Sequence, residues 1–261
     1  MPEGDTVWLT AKRLHAALAG HRLSRTDFRV PQLATADLSG RTVLESVSRG
    51  KHLLLRVEGG LTLHSHLRME GSWHLYRPGE RRRGGPKWQV RVVLETADRV
   101  AVGYRLPVLE LVETRAESEV VGHLGPDLLG ADWDEAEAVR RIAQQPQRTV
   151  GEALLDQRNL AGIGTLYRAE TLFLLGLHPR RPVGAVADLG TVVRTARKLL
   201  LANRDVVRQV TTGDTRKGRQ HYVFERPRQP CRRCGTPIQT EELGPPGQER
   251  RSYWCPRCQP E

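Results

Sequence analysis

Four cysteines near the C-terminal end of the chain constrain most strongly what its last segment can fold into. All four follow position 230 of the 261-residue sequence, as two Cys-x-x-Cys pairs, Cys231/Cys234 and Cys255/Cys258. Two such pairs can surround one tetrahedral zinc ion with four thiolates. Two disulfides or free thiols are the alternative, but the N-terminus lacks a secretory signal, so we expect a reducing compartment. The spacing therefore predicts one structural Zn²⁺ ion.

Charge is the second informative property of the chain. Lys and Arg number 41 against 30 Asp and Glu, which gives a net charge of +11. A polyanionic partner is the first hypothesis, and a basic solvated surface is the alternative. No apolar run approaches the roughly 18 residues of a membrane span, which argues against an integral membrane protein. We therefore expect a globular cytoplasmic protein with no membrane partner.

The first 125 residues combine one helical pattern with several strand patterns. Val7, Ala11, Leu14 and Leu18 share one face of a predicted amphipathic helix, with Asp5 or Thr6 as its N-cap. The five predicted strands are Arg41–Ser46, Lys51–Val57, Leu61–Leu67, Trp88–Leu94 and Val100–Tyr104. Together they indicate a β-sandwich. The basic, glycine-rich segment 77–87 is predicted to be a mobile solvated loop, with DNA contact as the alternative.

Helical periodicity begins near residue 132. The four predicted helices are Asp134–Ala143, Thr149–Gln157, Leu166–Leu175 and Ala187–Asn203, the second opened by the Thr149/Glu152 capping box. The Gly-Ile-Gly turn at 162–164 can expose helix N-terminal amides to a phosphate, or it can be an ordinary helix–helix turn. A basic linker, 209–229, leads to the cysteines. The sequence thus predicts an α+β protein with domains at 1–125, 132–210 and 226–261.

The N-terminal residues carry possible chemistry. Removal of Met1 would leave Pro2 as a free secondary amine, which can attack a carbonyl and form a cationic iminium. Many chains begin Met-Pro without any catalytic role, so Pro2 alone does not indicate catalysis, and further groups are needed. Glu3 supplies an acid next to it. Lys51, in the turn before a strand, is either a solvated charge or a cation for phosphate.

Six segments in order resemble the formamidopyrimidine-DNA glycosylase/endonuclease VIII superfamily: MPEGDTV, SRGKHLLL, HLRMEGS, HLGPDLL, LLDQRNLAGIGTLYRAE and the two cysteine pairs. The resemblance implies an N-terminal helix on a β-sandwich, then a helix–two-turn–helix domain with a C-terminal zinc-finger β-hairpin. It also implies a bifunctional glycosylase and abasic-site lyase of base-excision repair, whose partner is damaged DNA.

The resemblance assigns roles to individual residues. Pro2 would attack C1′ of the damaged nucleotide, and Glu3 would help to open the sugar and return protons. Lys51 would bind phosphate and assist β-elimination, and Arg250 would bind the flanking phosphates and aid δ-elimination. Met69 would fill the gap left by the flipped base, whereas a methionine on a strand is more commonly buried in a core.

Three departures from the family pattern bear on substrate. Thr165 stands where the family has a phosphate-binding Asn after Gly164, Thr6 stands where many members have Glu, and Tyr104–Leu109 contains no clear Arg/Phe partner for the wedge. The resemblance therefore favours the second endonuclease VIII type of actinobacteria, with oxidised pyrimidines as substrates. It implies a monomer associated with the bacterial nucleoid. A non-catalytic reader of damaged or unusual DNA, or an RNA-binding zinc ribbon, are the alternatives.

Overall fold

The computed structural model describes residues 2–245 and 247–261 of the chain. They form two compact units, the first made of Pro2 and Thr6–His123, and the second made of Glu3–Asp5 and Leu124–Glu261. Met1, whose removal the Pro2 hypothesis requires, lies outside the described residues. Within these ranges, no helix is long and apolar enough to cross a membrane.

Unit 1 holds most of the first helix and eight strands. Its elements are α1 (Gly4–Leu18), β1 (Arg25–Phe28), β2 (Val43–Arg49), β3 (His52–Val57), β4 (Leu61–His66), β5 (Ser72–Tyr76), β6 (Val90–Glu95), β7 (Val100–Tyr104), β8 (Val108–Glu113) and α2 (Glu117–Val121). The strands form two antiparallel sheets, in the orders β1-β6-β7-β5 and β2-β3-β4-β8. One apolar core joins both sheets to α1, so the predicted sandwich is confirmed.

The predicted face of α1 is confirmed, but its predicted N-cap is wrong. Val7, Ala11, Leu14 and Leu18 are all buried. The helix begins at Gly4, so Asp5 and Thr6 lie in its first turn. Asp5 accepts hydrogen bonds from distant side chains, which a pattern of local capping residues does not show.

The basic segment 77–87 is exposed along most of its length, as its composition predicts, but one part of it contacts the sheet. The amides of Arg83 and Gly84 donate to the hydroxyl of Tyr76, at 3.1 and 2.9 Å. A Cβ on Gly84 would lie 2.5 Å from the ring of Tyr104, so the backbone packs directly on the sheet. Residues 83–84 therefore lie on a second apolar cluster that includes Tyr76 and Tyr104, and the mobility of the rest of the loop stays a prediction.

Unit 2 is helical and ends in a two-stranded hairpin. Its elements are α3 (Glu135–Ala143), α4 (Val150–Leu155), α5 (Thr165–Leu175), α6 (Leu189–Asn203), β9 (Gln239–Leu243) and β10 (Arg250–Trp254). The capping box is confirmed, since the Thr149 hydroxyl oxygen accepts from the Glu152 amide at 3.2 Å. Gly176 ends α5 in the left-handed conformation, as its position predicts.

The buried carboxylate of Glu170 helps to hold the segment 209–229. Glu170 on α5 is fully buried and accepts hydrogen bonds from three consecutive amides, those of Tyr222, Val223 and Phe224, at 2.8–2.9 Å. The hydroxyl of Thr211 donates to the same carboxylate. The segment is irregular in structure, as predicted, but Val223 and Phe224 belong to the core rather than to a free linker.

Candidate active site and metal centre

The buried carboxylate of Glu3 caps helix α5. Its Oε2 accepts a hydrogen bond from the amide of Gly164 at 2.6 Å, and its Oε1 accepts one from the amide of Leu166 at 2.7 Å. Glu3 has no exposed surface. Amides at a helix N-terminus favour negative charge, so this arrangement stabilises the ionised form of the carboxylate. The residue next to Pro2 in sequence is thus fixed in position.

The close approach of Glu3 explains the glycine at position 164. A Cβ at Gly164 would lie 2.7 Å from Cδ of Glu3, a distance that side chains do not tolerate. The amides of Gly164 and Leu166 are also occupied by Glu3, which corrects the expectation that this corner presents free amides to a phosphate. Thr165, the first residue of α5, is 8% exposed, and its role as a DNA contact stays a prediction.

Asp5 forms the second connection of the N-terminal segment. Its carboxylate accepts the hydroxyl of Tyr167 at 2.7 Å and the side-chain amide of Gln209 at 3.0 Å. Burial, followed by the charge of Asp5, raises the pKa of Tyr167 far above its usual value, so the phenol remains a donor. These long-range contacts go beyond the capping role that the sequence predicts for Asp5. The second acidic residue in the PEGD motif was the available signal.

Lys51 and Met69 lie on turns at the same end of one sheet in unit 1. Lys51 directly precedes β3 and Met69 follows β4, and the two strands pair with His52 opposite His66. Pro2, also in this unit, is half-buried. The register of β3 and β4 therefore places Lys51 and Met69 at the same end of the sheet.

A cluster of histidines lies beside Lys51. Nδ1 of His52 is 2.9 Å from Nε2 of His64, and the His52 ring contacts the ring of His66 edge-on. Burial, together with neighbouring His66 and His64, lowers the pKa of His52 to about 3. Burial, Arg68 and Lys51 lower the pKa of His66 to about 4. These rings are neutral at pH 7, so the positive charge in this region comes from Lys51 and from nearby arginines such as Arg68.

The depressed histidine pKa values predict an acid-sensitive unit 1. Above pH 6.5 the rings are neutral in both the folded and the unfolded chain. Below pH 6.5 the unfolded chain binds protons that the folded chain excludes, so stability falls by about 1.4 kcal/mol per pH unit for each such ring. The loss continues until the folded rings titrate, near pH 4 and pH 3.

Urea unfolding of the wild type and of His52→Gln between pH 7 and 4 measures this effect. The variant is expected to lose stability less steeply with falling pH. The exposed His21, replaced in His21→Gln, is the matched control and should leave the slope unchanged. Equal slopes for the wild type and His52→Gln would contradict the assignment.

The turn that carries Met69 is well defined. Met69 is 65% exposed, which excludes the alternative of a core methionine. Nδ1 of His66 accepts the amide of Arg68 at 2.9 Å, and Arg68 adopts the left-handed conformation with φ of 49°. Nε of Arg105 donates to the carbonyl of Glu70 at 3.1 Å. The exposed side chain therefore projects from a turn whose backbone is held on both sides.

The four cysteines are arranged as metal ligands. All four sulfur atoms lie within 4.8 Å of one another. The Sγ atoms of Cys231 and Cys258 are 3.9 Å apart, and those of Cys234 and Cys255 are 3.4 Å apart. Zn–S bonds of about 2.3 Å in a tetrahedron place sulfurs about 3.8 Å apart. The donor set and spacing fit a zinc ion, and the disulfide alternative is not what the structure shows.

Arg250 lies at the start of β10, the second strand of the hairpin. It is exposed and pairs with Leu243 in the antiparallel register. The next residue is connected to α5, because Nη2 of the buried Arg168 donates to the carbonyl of Arg251 at 2.8 Å. Burial lowers the pKa of Arg168 to about 10. Arg168 could not be recognised from the sequence, since a buried arginine in a helix has no sequence signature.

Family profiles match the chain in three consecutive segments. The formamidopyrimidine-DNA glycosylase N-terminal domain matches residues 1–105, and the formamidopyrimidine-DNA glycosylase H2TH domain matches residues 124–204. The zinc finger found in FPG and IleRS matches residues 228–260. Together with the clustered sulfurs, the last match confirms the predicted zinc finger.

Full-length relatives agree with these matches. The chain is 58% identical to the probable endonuclease 8 2 of Streptomyces coelicolor, over 99% of this chain and 94% of that protein. It is 49% identical to the DNA-(apurinic or apyrimidinic site) lyase Nei2 of Mycolicibacterium smegmatis, over 99% of each. A structure of Lactococcus lactis Fpg with DNA containing an abasic site has the same fold, with a TM-score of 0.83 at 21% identity over 100% of both chains. The chain therefore belongs to the formamidopyrimidine-DNA glycosylase/endonuclease VIII family of DNA repair enzymes, among relatives named endonuclease 8 2 in actinobacteria.

Proposed function

We propose that this protein is a bifunctional DNA glycosylase and abasic-site lyase that removes oxidised bases, preferentially pyrimidines, from damaged DNA. The observation that carries the proposal is the fixed, buried carboxylate of Glu3 directly after Pro2. A reactive amine needs a nearby group that takes and returns protons, and Glu3 is held in place for that task. The relative named an abasic-site lyase supports the same reaction class.

The first step forms a covalent intermediate at Pro2. The amine nitrogen attacks C1′ of the damaged nucleotide, and the bond between C1′ and the base breaks, with the electron pair leaving on the base. The carboxylate of Glu3 accepts the proton that the Pro2 nitrogen loses and returns it to the ring oxygen, and opening of the sugar ring then gives a cationic iminium. Loss of a C2′ proton expels the 3′ phosphate, and a second elimination expels the 5′ phosphate.

The cations and the wedge act on the DNA around that nucleotide. Lys51 neutralises a phosphate and assists the first elimination, and Arg250 binds the flanking phosphates and assists the second. Met69, exposed on its turn, enters the gap left by the flipped nucleotide. The hydroxyl of Thr165, next to Gly164, donates one hydrogen bond to a phosphate.

The zinc ion has a structural role in this proposal. One Zn²⁺ held by Cys231, Cys234, Cys255 and Cys258 fixes the hairpin that carries Arg250. Residues 1–125 act as the catalytic domain, 132–210 as the helix–two-turn–helix DNA-binding domain and 226–261 as the zinc finger. The protein acts as a monomer on the bacterial chromosome.

Covalent trapping tests the proposal. Borohydride reduction of a mixture with abasic-site DNA is expected to give a stable adduct, and peptide mapping is expected to place it on Pro2. A variant with lysine inserted between Met1 and Pro2 retains Met1 and converts the Pro2 nitrogen into an amide. This variant is expected to form no adduct at Pro2.

Lys217→Gln, which replaces an exposed lysine, is the control and should trap as the wild type does. An adduct on a lysine, or none from protein whose Met1 has been removed, would contradict the mechanism. Tight binding of abasic-site DNA without any adduct would instead identify a non-catalytic DNA-binding protein.

A further inference from the structure

Trp88 is an exposed aromatic side chain that the mechanism does not use. It is 73% exposed, more than Met69 at 65%. An indole has a large flat face that can stack on another ring, so an outward-facing tryptophan among cations is a candidate for binding. Trp88 lies in a short 3₁₀ turn, Lys87–Gln89, directly before β6.

The turn that carries Trp88 is rigid and has cations beside it. The amide of Gln89 donates to the carbonyl of Pro86 at 3.0 Å, and Nη1 of Arg91 donates to the carbonyl of Trp88 at 2.9 Å. Nη1 of Arg29 reaches the carbonyl of Lys87 at 3.5 Å. The indole therefore extends from a fixed backbone with guanidinium groups close to it.

The surrounding segment is strongly basic. Residues 77–91 contain six Lys or Arg and one Glu. Within this segment Arg82 pairs with Glu95, and the nearby Arg29 pairs with Asp27. Lys87 and Arg91 lie within three residues of Trp88 in sequence. An aromatic ring among cations is the pattern that binds unpaired bases and their phosphates.

A single arginine joins this turn to the turn of Met69. The guanidinium of Arg105 donates to the carbonyl of Glu70 through Nε and to Oε1 of Gln89 through Nη1. The Arg105 amide also donates to the carbonyl of Gln89 at 2.8 Å. Both exposed apolar side chains thus project from neighbouring turns of unit 1.

We propose that Trp88 is a stacking platform for an unpaired base of single-stranded DNA, with Lys87 and Arg91 contacting the adjacent phosphates. This inference rests on the proposed function, because it extends the DNA-contacting surface that begins at Met69. Trp88 would also act as a second apolar side chain beside Met69, for which the segment Tyr104–Leu109 contains no clear partner. A base that has lost its pairing partner beside the lesion is the occupant with this chemistry.

Equilibrium binding of undamaged oligonucleotides tests the platform without any covalent step. Trp88→Ala is expected to weaken binding of oligothymidylate about 5- to 150-fold, which corresponds to the loss of one base–aromatic stack. Binding of a fully paired duplex of equal length should change less than twofold. Trp88→Phe should restore most of the affinity, which a purely structural role of the indole would not predict.

Two further variants separate stacking from charge. Lys87→Gln is expected to lower the slope of log affinity against log salt concentration by about 0.7, whereas Trp88→Ala should leave it unchanged. Leu44→Ala, another exposed apolar residue of unit 1 at 55% exposure, is the matched control and should bind as the wild type does.

Several outcomes would overturn the proposal. One is unchanged affinity of Trp88→Ala for oligothymidylate. Another is an equal loss of affinity for duplex and single-stranded DNA. A third is a loss of affinity for oligouridylate RNA but not for DNA. Because no abasic site or borohydride is involved, these outcomes are independent of Pro2 chemistry. Failure of trapping together with Trp88-dependent binding would remove the enzyme proposal and leave the platform intact.

Discussion

Glu3→Gln is expected to lower both stability and activity by large amounts. Both oxygens of Glu3 accept amide hydrogen bonds in a fully buried site. A glutamine offers one oxygen, and its NH₂ group would face an amide donor, so we expect a loss of about 2–4 kcal/mol in the free energy of unfolding. Loss of the proton-transfer group should slow lesion processing by about 10²- to 10⁴-fold.

Two measurements separate the loss of stability from the loss of activity. Urea unfolding measures the first and single-turnover cleavage measures the second, both at a temperature at which the variant is folded. Glu119→Gln replaces an exposed glutamate on α2 and should change neither quantity. A variant as stable as the wild type would show that the two amide bonds contribute little. A stable variant with full cleavage would remove Glu3 from the mechanism.

Removal of zinc is expected to abolish DNA binding while leaving unit 1 folded. Structural zinc sites of this type contribute roughly 10–16 kcal/mol of apparent binding free energy, which far exceeds what a hairpin of two five-residue strands can supply. Cys255→Ala, or treatment with a chelator, should therefore unfold the segment that carries Arg250. Strands β3 and β4 have their own core and should keep their hydrogen-exchange protection.

Metal analysis of the purified protein should give one zinc ion per chain. Arg257→Ala, between the last two cysteines, replaces an exposed side chain and should retain that ion. Proteolysis confined to residues 226–261 in Cys255→Ala is the expected signature. Full DNA affinity in that variant, or general unfolding of the chain, would contradict a local structural role for the metal.

Features encoded by neighbouring residues were predictable from the sequence. The buried face of α1, the Thr149 capping box, the glycine stop after α5 and the cysteine pairs each depend on spacings of a few residues. The three strands absent from the sequence prediction, β1, β5 and β8, are all edge strands. Edge strands are half-exposed, so their hydrophobic alternation is weak, and Pro107 further obscures the start of β8.

Contacts across long stretches of sequence were not predictable. Glu3 caps a helix that begins at Thr165, and Glu170 binds amides more than 50 residues further along the chain. Because backbone amides bind these carboxylates, the sequence contains no complementary basic side chain that would reveal the contacts. Only the folded chain shows that these two acids occupy buried positions while most other acids lie at the surface.

The carboxylate of Glu170 has a consequence for how this protein can change over evolution. It binds both Thr211 and the amides that begin at Tyr222, and the Thr211 amide donates to the carbonyl of Gln220 at 2.8 Å. The residues between form a lobe whose two ends are fixed beside each other. Residues 213–219 lie outside the helical core, so we expect insertions, deletions and substitutions there to disturb that core less than changes at Thr211 or Tyr222. The lobe can diverge in length and charge while its attachment to the protein stays the same.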